Sequence, residues 1–232
     1  PVIKSYLDEK YNINSKYIAY GADLSEHADE NILTGYGLTS KEYFLLVARM
    51  EPENNIEMLL DGFHMSTSQK KFVVVGNMGN KYGQYLFQKF SSDKRIVFPG
   101  TIFVQEKLQS IVKFSSLYFH GHSVGGTNPS LLEAMADGAF IAAHNNPFNK
   151  SILQDNALYF SKADEVCSII NKHIELFNEN FVRNNLVAIR NNFTWDKIVA
   201  EYDLFFRSCF QPEGKQVMVP EIELTKQLIN AE

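Results

Sequence analysis

The sequence predicts a doubly wound α/β fold, in which helices cover both faces of a parallel sheet and further helices follow it. Three observations support this prediction: six short runs rich in β-branched and aromatic residues, helical patterns between those runs, and short links throughout. The runs are apolar without alternation, which is typical of parallel strands buried on both faces. In such a fold, ligands bind beyond the carboxyl ends of the strands.

The elements follow in order along the chain. We predict strands at residues 42–48, 71–76, 95–100, 116–121, 139–143 and 157–160. Apolar residues three or four positions apart predict helices between them at residues 55–67, 81–90, 103–114 and 129–137. Further helices are expected between residues 162 and 210, of which residues 193–206 are the most strongly amphipathic. Ahead of the sheet, we predict a helix and then a strand, KYIAY, at residues 16–20.

These patterns divide the chain into three segments. Residues 24–192 hold the sheet and are expected to form the ligand-binding domain. Residues 1–23 are interpreted as the remnant of a preceding domain and its linker, because the chain begins with Pro1 and not with Met. Residues 193–232 are interpreted as a crossover helix followed by a polar tail.

The composition excludes several classes of protein. The chain has 232 residues, of which 45% are hydrophobic and 21% charged, as in a globular protein. The net charge of −5 and the absence of a Lys/Arg-rich block argue against a nucleic acid or an anionic membrane as the main partner. No apolar run reaches the roughly 20 residues of a transmembrane helix. Cys167 and Cys209 follow no motif and are expected to be buried thiols in a reducing compartment.

The stretch HSVGGTNPSLLEAMADG, residues 122–138, indicates an anion site at the end of the fourth strand. Asn128 and Pro129 are a capping residue and a first helical residue, and Gly125 and Gly126 let a ligand approach the backbone. Unpaired amides are expected at the helix start, on Ser130, Leu131 and Leu132. A capped helix after an ordinary loop is the alternative, and spacing alone does not separate the two.

Glu133 can be placed by helical geometry. It lies with Pro129 and Asp137 on the face of the predicted helix that points away from the core. The pattern by itself fits a solvated acid. Its position, one turn into a helix whose start would hold phosphate, favours a carboxylate that accepts hydrogen bonds from a ribose diol.

Four motifs together resemble a known family. They are LLVARMEPENNIEMLLDGF, VGGTNPSLLEAMADG, NPFNKSIL and NFTWDKIVAEYDLFF, which occur in consistent order between Lys16 and Phe206. The chain resembles the C-terminal, Rossmann-like donor-binding half of a retaining glycosyltransferase of the GT-B fold, of glycosyltransferase group 1 or family 4. More narrowly, it resembles the rhamnosyltransferase-like branch that builds bacterial surface polysaccharide.

The resemblance implies a phosphate-binding role for Arg49, which aligns with an Arg that grips the donor diphosphate. A guanidinium suits this role because its fork matches phosphate oxygens and stays charged. An ion pair with Glu51 or Glu53 is the alternative. The family usually has a Lys five residues later, where this chain has Asn54. Either Asn54 gives a neutral hydrogen bond while the helix start carries more of the charge, or the donor sits differently.

The family also has two Glu residues in the glycine loop and the following helix. Glu133 matches the second, whereas Gly125 stands at the position of the first, so His122, Thr127 and Asn128 are the candidates for sugar contacts. The loss of an acid fits a 6-deoxy sugar. The resemblance therefore assigns catalytic roles to Arg49 and Glu133, and it gives a donor-binding set that also contains Asn54, His122, Gly125, Gly126, Thr127, Asn128, Ser130 and Leu131.

No metal is expected in this site. His120 and His122 point the same way from a strand end, as two zinc ligands could, but no third ligand is evident nearby. By resemblance, GT-B enzymes generally work without a bound metal and need no cofactor beyond the nucleotide-sugar donor. We expect His122 to line the donor cleft and His120 to be structural.

The implied function is transfer of a sugar, with rhamnose from dTDP-rhamnose as the favoured donor, or another dTDP- or UDP-sugar. The acceptor, a saccharide that a lipid could carry, would be held by a missing N-terminal domain, so this chain alone should bind donor and transfer little. Trp195, Phe205 and Phe206 are then expected to be partly exposed without a partner. The enzyme is expected in the cytoplasm or at the inner face of the plasma membrane. A sugar-nucleotide epimerase and a non-catalytic nucleotide-binding module are the alternatives.

Overall fold

The computed structural model describes residues 2–25 and 28–210, and the predicted polar tail after residue 210 lies outside the described residues. Its centre is a parallel sheet of six strands: β1 (Tyr43–Val47), β2 (Lys71–Val75), β3 (Ile96–Gly100), β4 (Leu117–His120), β5 (Ile141–His144) and β6 (Leu158–Phe160). The strands are ordered β3-β2-β1-β4-β5-β6, the doubly wound arrangement. All six predicted strands are confirmed.

Helices surround and follow this sheet. They are α1 (Val2–Tyr11), α2 (Ile56–His64), α3 (Lys81–Phe90), α4 (Gln105–Lys113), α5 (Pro129–Ala136), α6 (Pro147–Leu153), α7 (Ala163–Lys172), α8 (Glu179–Asn192) and α9 (Trp195–Cys209). Short 3₁₀ helices occur at Glu30–Tyr36 and Pro52–Asn54. The predicted helices are confirmed, while α6, at seven residues, is too short for its apolar spacing to identify it. Among the described helices, none combines the length and apolar character required to cross a membrane.

The sheet buries both of its faces, which explains the continuous apolar runs. Successive residues of β1 point to opposite sides. Leu45 packs on one side in a cluster with Ile111 of α4 and Leu132 of α5. Leu46 packs on the other side, with residues of α2 and α7 such as Leu59 and Ile170. The side chains of β1 are therefore fully enclosed, except at Val47 near the end of the strand.

Four expectations outside the sheet are corrected. Residues 16–20 form no strand, because their side chains are used in loop contacts: the Tyr17 hydroxyl lies 2.8 Å from that of Thr127, and the ring of Tyr20 meets Trp195 edge-on at 4.9 Å. Trp195 consequently has a partner, although Phe205 and Phe206 are exposed as predicted. The thiols are not buried either, since Cys167 is partly exposed and Cys209 exposed on the outer helices.

The strand order opens a crevice between the ends of β1 and β4. These two strands are paired, with Leu46 opposite Phe119, but the chain leaves β1 towards β2 on its other side. The loops after β1 and β4 therefore diverge above a shared edge, which is the position where doubly wound sheets bind ligands.

The two loops meet at Gly121 without room for a side chain. A Cβ atom on Gly121 would lie 2.1 Å from the carbonyl oxygen of Asn54. The Asn55 side chain donates a hydrogen bond of 2.8 Å to the Gly121 carbonyl, and Asn55 itself has a φ of 52°. Backbone packed on backbone cannot relax as a flexible side chain can, so the relative position of the two loops is tightly constrained.

This contact predicts a large cost for Gly121→Ala. We expect the variant to lose about 3 kcal/mol in the free energy of unfolding, because the added methyl group overpacks a rigid junction. Denaturant unfolding measures the loss. Gly35→Ala is the matched control, since nothing lies within 4 Å of a Cβ placed there. Equal stability of the two variants would show that the loops are free to separate.

Candidate functional site

A cleft of about 930 Å³ occupies the crevice above β1 and β4. It is bounded by the loops after β1, β2, β3 and β4 and by the start of α5. Most of the predicted site residues line it, namely Arg49, Asn54, His122, Gly125, Gly126, Thr127, Asn128, Ser130 and Glu133. Leu131 does not, because its side chain is buried in the core.

Arg49 presents an exposed guanidinium to this cleft. Its side chain makes no hydrogen bond or ion pair with any described residue. The ion pair with Glu51 or Glu53, which was the alternative role for Arg49, is therefore not formed among the described residues. The backbone of Arg49 is well held, since its carbonyl accepts a hydrogen bond of 2.8 Å from the Glu51 amide. A cation on a fixed backbone is thus open to a ligand.

Asn54 occupies the position where the family usually has a Lys, and it is buried in the fold. Only 3% of its surface is exposed. Its side-chain amide donates a hydrogen bond of 2.8 Å to the Arg49 carbonyl. Asn54 therefore holds the loop that carries Arg49, and its binding to the donor remains a prediction.

The start of α5 differs from the sequence-based prediction in its free amides. The Leu131 and Leu132 amides both donate to the Asn128 carbonyl, at 3.1 and 3.2 Å. The Leu132 bond is the ordinary first i→i−4 bond of an α-helix, and the Leu131 bond is an i→i−3 bond that tightens the first turn. The prediction that these two amides are unpaired is wrong. The Asn128 side chain makes no capping bond and accepts instead from the Ser130 hydroxyl, at 3.1 Å. No described group accepts the Ser130 amide.

The glycine loop supplies the amides that the helix start lacks. No described carbonyl or side chain accepts a hydrogen bond from the amides of residues 124–128. Gly125 has a φ of 151°, a conformation that favours glycine. Successive free amides near a helix N-terminus form a concave surface that binds anions. This run faces the same cleft as the Arg49 guanidinium.

Glu133 lies where the cleft joins a second cavity of about 210 Å³. Glu133, Ser130 and Ile102 line both spaces, while Phe103 and Trp195 line only the smaller one. The Glu133 side chain is exposed towards these spaces, yet the protein on its other sides partly desolvates it and raises its pKa. The carboxylate is therefore available to hydroxyl donors in either space.

Asp137, one turn further along, is buried and not solvated beside Glu133 as its helical face suggested. It lines the smaller cavity, which Tyr20 and Trp195 help to enclose. Burial, with a smaller contribution from the Glu133 charge, raises the pKa of Asp137 to about 7. Sequence periodicity missed this because it shows which face of α5 a residue occupies but not which distant segments pack around that face.

The rings of His120 and His122 stack face to face, with centroids 4.3 Å apart. His120 is completely buried, and neither of its ring nitrogens has a partner among the described residues. Burial, and next the charge of Arg49, lowers the pKa of His122 to about 4 against the opposing effect of Glu53. In the described part of the chain, no three His, Cys, Asp or Glu side chains are grouped so as to hold a metal ion.

Sequence reasoning missed one residue that lines this cleft, Glu53, and two that support it from the start of α6, Asn146 and Asn149. Glu53 lines it, and the Glu53 carbonyl accepts hydrogen bonds from the Ser123 amide and hydroxyl at 2.9 and 2.8 Å. Asn146 and Asn149 each donate a side-chain hydrogen bond to the His122 carbonyl. Their motifs, PENN and NPFN, could be read in the sequence, but contacts across 24 to 70 positions could not.

The raised pKa of Asp137 predicts a pH-dependent stability. In the unfolded chain Asp137 loses its proton near its ordinary pKa of 3.8, whereas in the folded chain it keeps it until about pH 7. Stability is therefore lost as the pH rises through this window and is not regained above it. Asp137→Asn should remove this loss. The difference in free energy of unfolding between the variant and wild type should therefore rise in favour of the variant by roughly 2–4 kcal/mol from pH 4 to pH 8.

Denaturant unfolding of both proteins at several pH values measures this gain. Asp155→Asn is the control, because Asp155 is exposed. Parallel pH profiles for wild type and Asp137→Asn would show that Asp137 ionises normally in the folded protein.

Comparison with solved structures shows where this architecture recurs. The crystal structure of Anabaena Alr3699/HepE in complex with UDP and glucose matches with a TM-score of 0.73 and 18% identity, over 84% of this chain and 57% of that one. A glycosyltransferase from Rickettsia africae ESF-5 matches with a TM-score of 0.77 and 13% identity, over 89% and 61%. Sucrose-phosphate synthase from Thermosynechococcus elongatus matches with 0.73 and 15%, over 89% and 56%.

These likenesses establish the fold, one half of the GT-B architecture. The chain spans less than two thirds of the length of each of these neighbours. Comparison with curated proteins finds no significant match. The family model described as glycosyl transferases group 1 matches residues 30–192, well over half of the chain. The chain therefore belongs to the glycosyl transferases group 1 family.

Proposed function

We propose that this chain binds a nucleotide sugar in the cleft above β1 and β4 and, within a longer protein, transfers the sugar to a saccharide acceptor. One observation carries the proposal: the unpaired Arg49 guanidinium and the free amides of residues 124–128 face one cleft. Converging positive groups without an internal partner suit a diphosphate. The family match favours a transferase over the epimerase alternative.

The two connected spaces suit the parts of such a donor. The smaller cavity, with Ile102 and Trp195 in its walls, is apolar enough for a flat base. Glu133, at the junction, is placed to accept hydrogen bonds from the ribose. The diphosphate would lie between Arg49 and the glycine loop. The neighbouring HepE was crystallised with UDP and glucose, which supports a nucleotide as the ligand of this chain.

Bond breaking at the anomeric carbon places negative charge on the departing diphosphate. Arg49 and the loop amides would stabilise that charge because they are oriented before the reaction begins. Loss of one such donor typically lowers the rate by about 10²- to 10³-fold. No metal is required in this proposal.

The finer specificity rests on the family resemblance. We propose rhamnose from dTDP-rhamnose as the donor, with another dTDP- or UDP-sugar as the alternative, in the synthesis of bacterial surface polysaccharide. The run Gly125 to Asn128, which lacks an acid, supports a 6-deoxy sugar. The acceptor, lipid-linked or free, would bind a further domain, and the site of action would be the cytoplasm or the inner face of the plasma membrane.

Arg49→Ala is expected to weaken binding of a nucleoside diphosphate by roughly 10- to 100-fold, because a charge-assisted contact to phosphate is lost. Titration calorimetry with UDP, dTDP and GDP measures the affinity and identifies the base. Arg190→Ala, on the exposed surface of α8, is the matched control. Failure of folded wild-type chain to bind all three nucleotides would contradict the proposed donor site.

Glu133→Gln is expected to weaken the binding of UDP by about tenfold and the binding of dTDP by less, since deoxyribose offers one hydroxyl fewer to the carboxylate. The same calorimetric titration gives both values. Glu106→Gln, exposed on α4, should bind both nucleotides as wild type does. An equal loss for UDP and dTDP would show that Glu133 does not contact the 2′-hydroxyl.

A further inference from the structure

Glu53 and His122 both line the large cleft, and the roles proposed for the diphosphate and the base use neither of them. We propose that they form a complementary pair that holds the transferred sugar, with Glu53 accepting and His122 donating hydrogen bonds to its hydroxyls. We further propose that Asn146 and Asn149 are the positioning residues of His122. This inference rests on the proposed function and specifies how the same site recognises the sugar.

The lining of the two spaces separates the pair from the proposed base region. Ser130 and Glu133 line both the cleft and the smaller cavity, so they stand where the two spaces meet. Glu53 and His122 line the large cleft and not the smaller cavity. With the base in the smaller cavity and the diphosphate between Arg49 and the glycine loop, the sugar is the part of the donor left to contact Glu53 and His122.

His122 offers one particular ring nitrogen to this space. Its Nδ1 atom is enclosed and has no partner among the described residues, whereas Nε2 is not enclosed. An enclosed N–H without an acceptor is costlier than an enclosed lone pair, so we assign the proton to Nε2. Burial and the nearby Arg49 lower the pKa of His122, which keeps the ring neutral at neutral pH. His122 thus presents a single uncharged N–H donor.

The backbone beneath His122 is held by two amide side chains from the start of α6. Asn146 and Asn149 donate to the His122 carbonyl at 2.9 and 3.1 Å, and both also donate to the His144 carbonyl. The backbone amide of Asn149 donates in turn to the side-chain oxygen of Asn146 at 3.0 Å. With His120 stacked on one face of the ring, His122 has little freedom to move.

Glu53 is fixed in a similar way but leaves its carboxylate open. Its carbonyl is held by Ser123, the neighbour of His122, and its exposed side chain makes no hydrogen bond with a described residue. Ser123 follows His122 in the chain and binds the Glu53 carbonyl, so the backbones of Glu53 and His122 are held near each other beside the same cleft. Sugar hydroxyls both donate and accept, so an acceptor-only carboxylate beside a donor-only N–H matches them.

The test compares binding of a nucleoside diphosphate with binding of its sugar conjugates. Calorimetry of the full chain would use UDP, UDP-glucose, UDP-N-acetylglucosamine, dTDP and dTDP-rhamnose against wild type, Glu53→Gln, His122→Asn and His122→Gln. We expect Glu53→Gln and His122→Asn to weaken the best-bound sugar conjugate about tenfold and its nucleoside diphosphate less than about twofold. His122→Gln should retain binding, because the glutamine amide nitrogen can take the place of Nε2.

The outcomes separate this inference from the proposed function. Wild-type chain that binds no nucleoside diphosphate contradicts the proposed function itself. If wild type binds it and the variants lose the diphosphate and its conjugate equally, or lose neither, the sugar-binding pair is overturned. Better retention by His122→Asn than by His122→Gln would overturn the assignment of Nε2 as the donor. His64→Gln, exposed at the end of α2, controls for histidine replacement.

The positioning role is tested with the isosteric change Asn149→Asp, which removes the amide donor. We expect the same selective loss for the sugar conjugate, and no further loss when His122→Asn is added, because the two residues act through one contact. The ring-nitrogen NMR shifts of His122 should report the Nε2–H tautomer in wild type. Asn145→Asp, exposed and adjacent to Asn146, is the control. Additive losses, or a variant that binds as wild type does, would overturn this role.

Discussion

The packing of the β1–α2 loop on the β4–α5 loop at Gly121 is the constraint on which the rest of the site depends. There the Asn54 carbonyl occupies the space where a side chain would start, and Asn55 binds the Gly121 carbonyl. Ser123 then fastens Glu53 from the other loop. Because each of these contacts fixes a backbone atom of one loop against the other loop, the cleft is preorganised between two loops that arise from neighbouring strands.

The electrostatics of the cleft are local and differ from those of the whole chain. The net charge is −5, yet the cleft combines an arginine without an ion-pair partner and backbone amides without acceptors among the described residues. An anion that binds these groups has no internal counter-charge to displace. Burial and the charge of Arg49 lower the pKa of His122 to about 4, so its ring adds no charge beside the anion site, while burial raises the pKa of Glu133. The chemistry of this cleft suits a nucleotide sugar, in agreement with the family to which the chain belongs and with its GT-B fold.

Much of the site could be predicted because its parts are local. Arg49, the glycine loop and Glu133 each follow a strand end or lie one turn into a helix, and those positions show in the sequence. The pairing of the Leu132 amide follows from a helix start at Pro129, since only the first three helical residues lack an intrahelical acceptor. The pairing of the Leu131 amide could not be predicted, because it depends on how tightly the first turn of α5 winds. The role of Asn54 could not be predicted either. Its side chain supports the Arg49 loop because the backbone turns so that the Arg49 carbonyl lies within hydrogen-bond reach, and the motif does not show this turn.

The sequence by itself determined the six strands, the doubly wound order of helices and strands, and the end of the sheet where ligands bind. These follow from apolar periodicity and turn chemistry, which act over a few residues. The tertiary structure alone brings Glu53 and His122 to one cleft, lets Asn146 and Asn149 bind the His122 carbonyl, and buries Asp137 beside a cavity that Trp195 and Tyr20 also line. Such contacts join residues far apart in the chain, and their geometry is set by how whole elements pack.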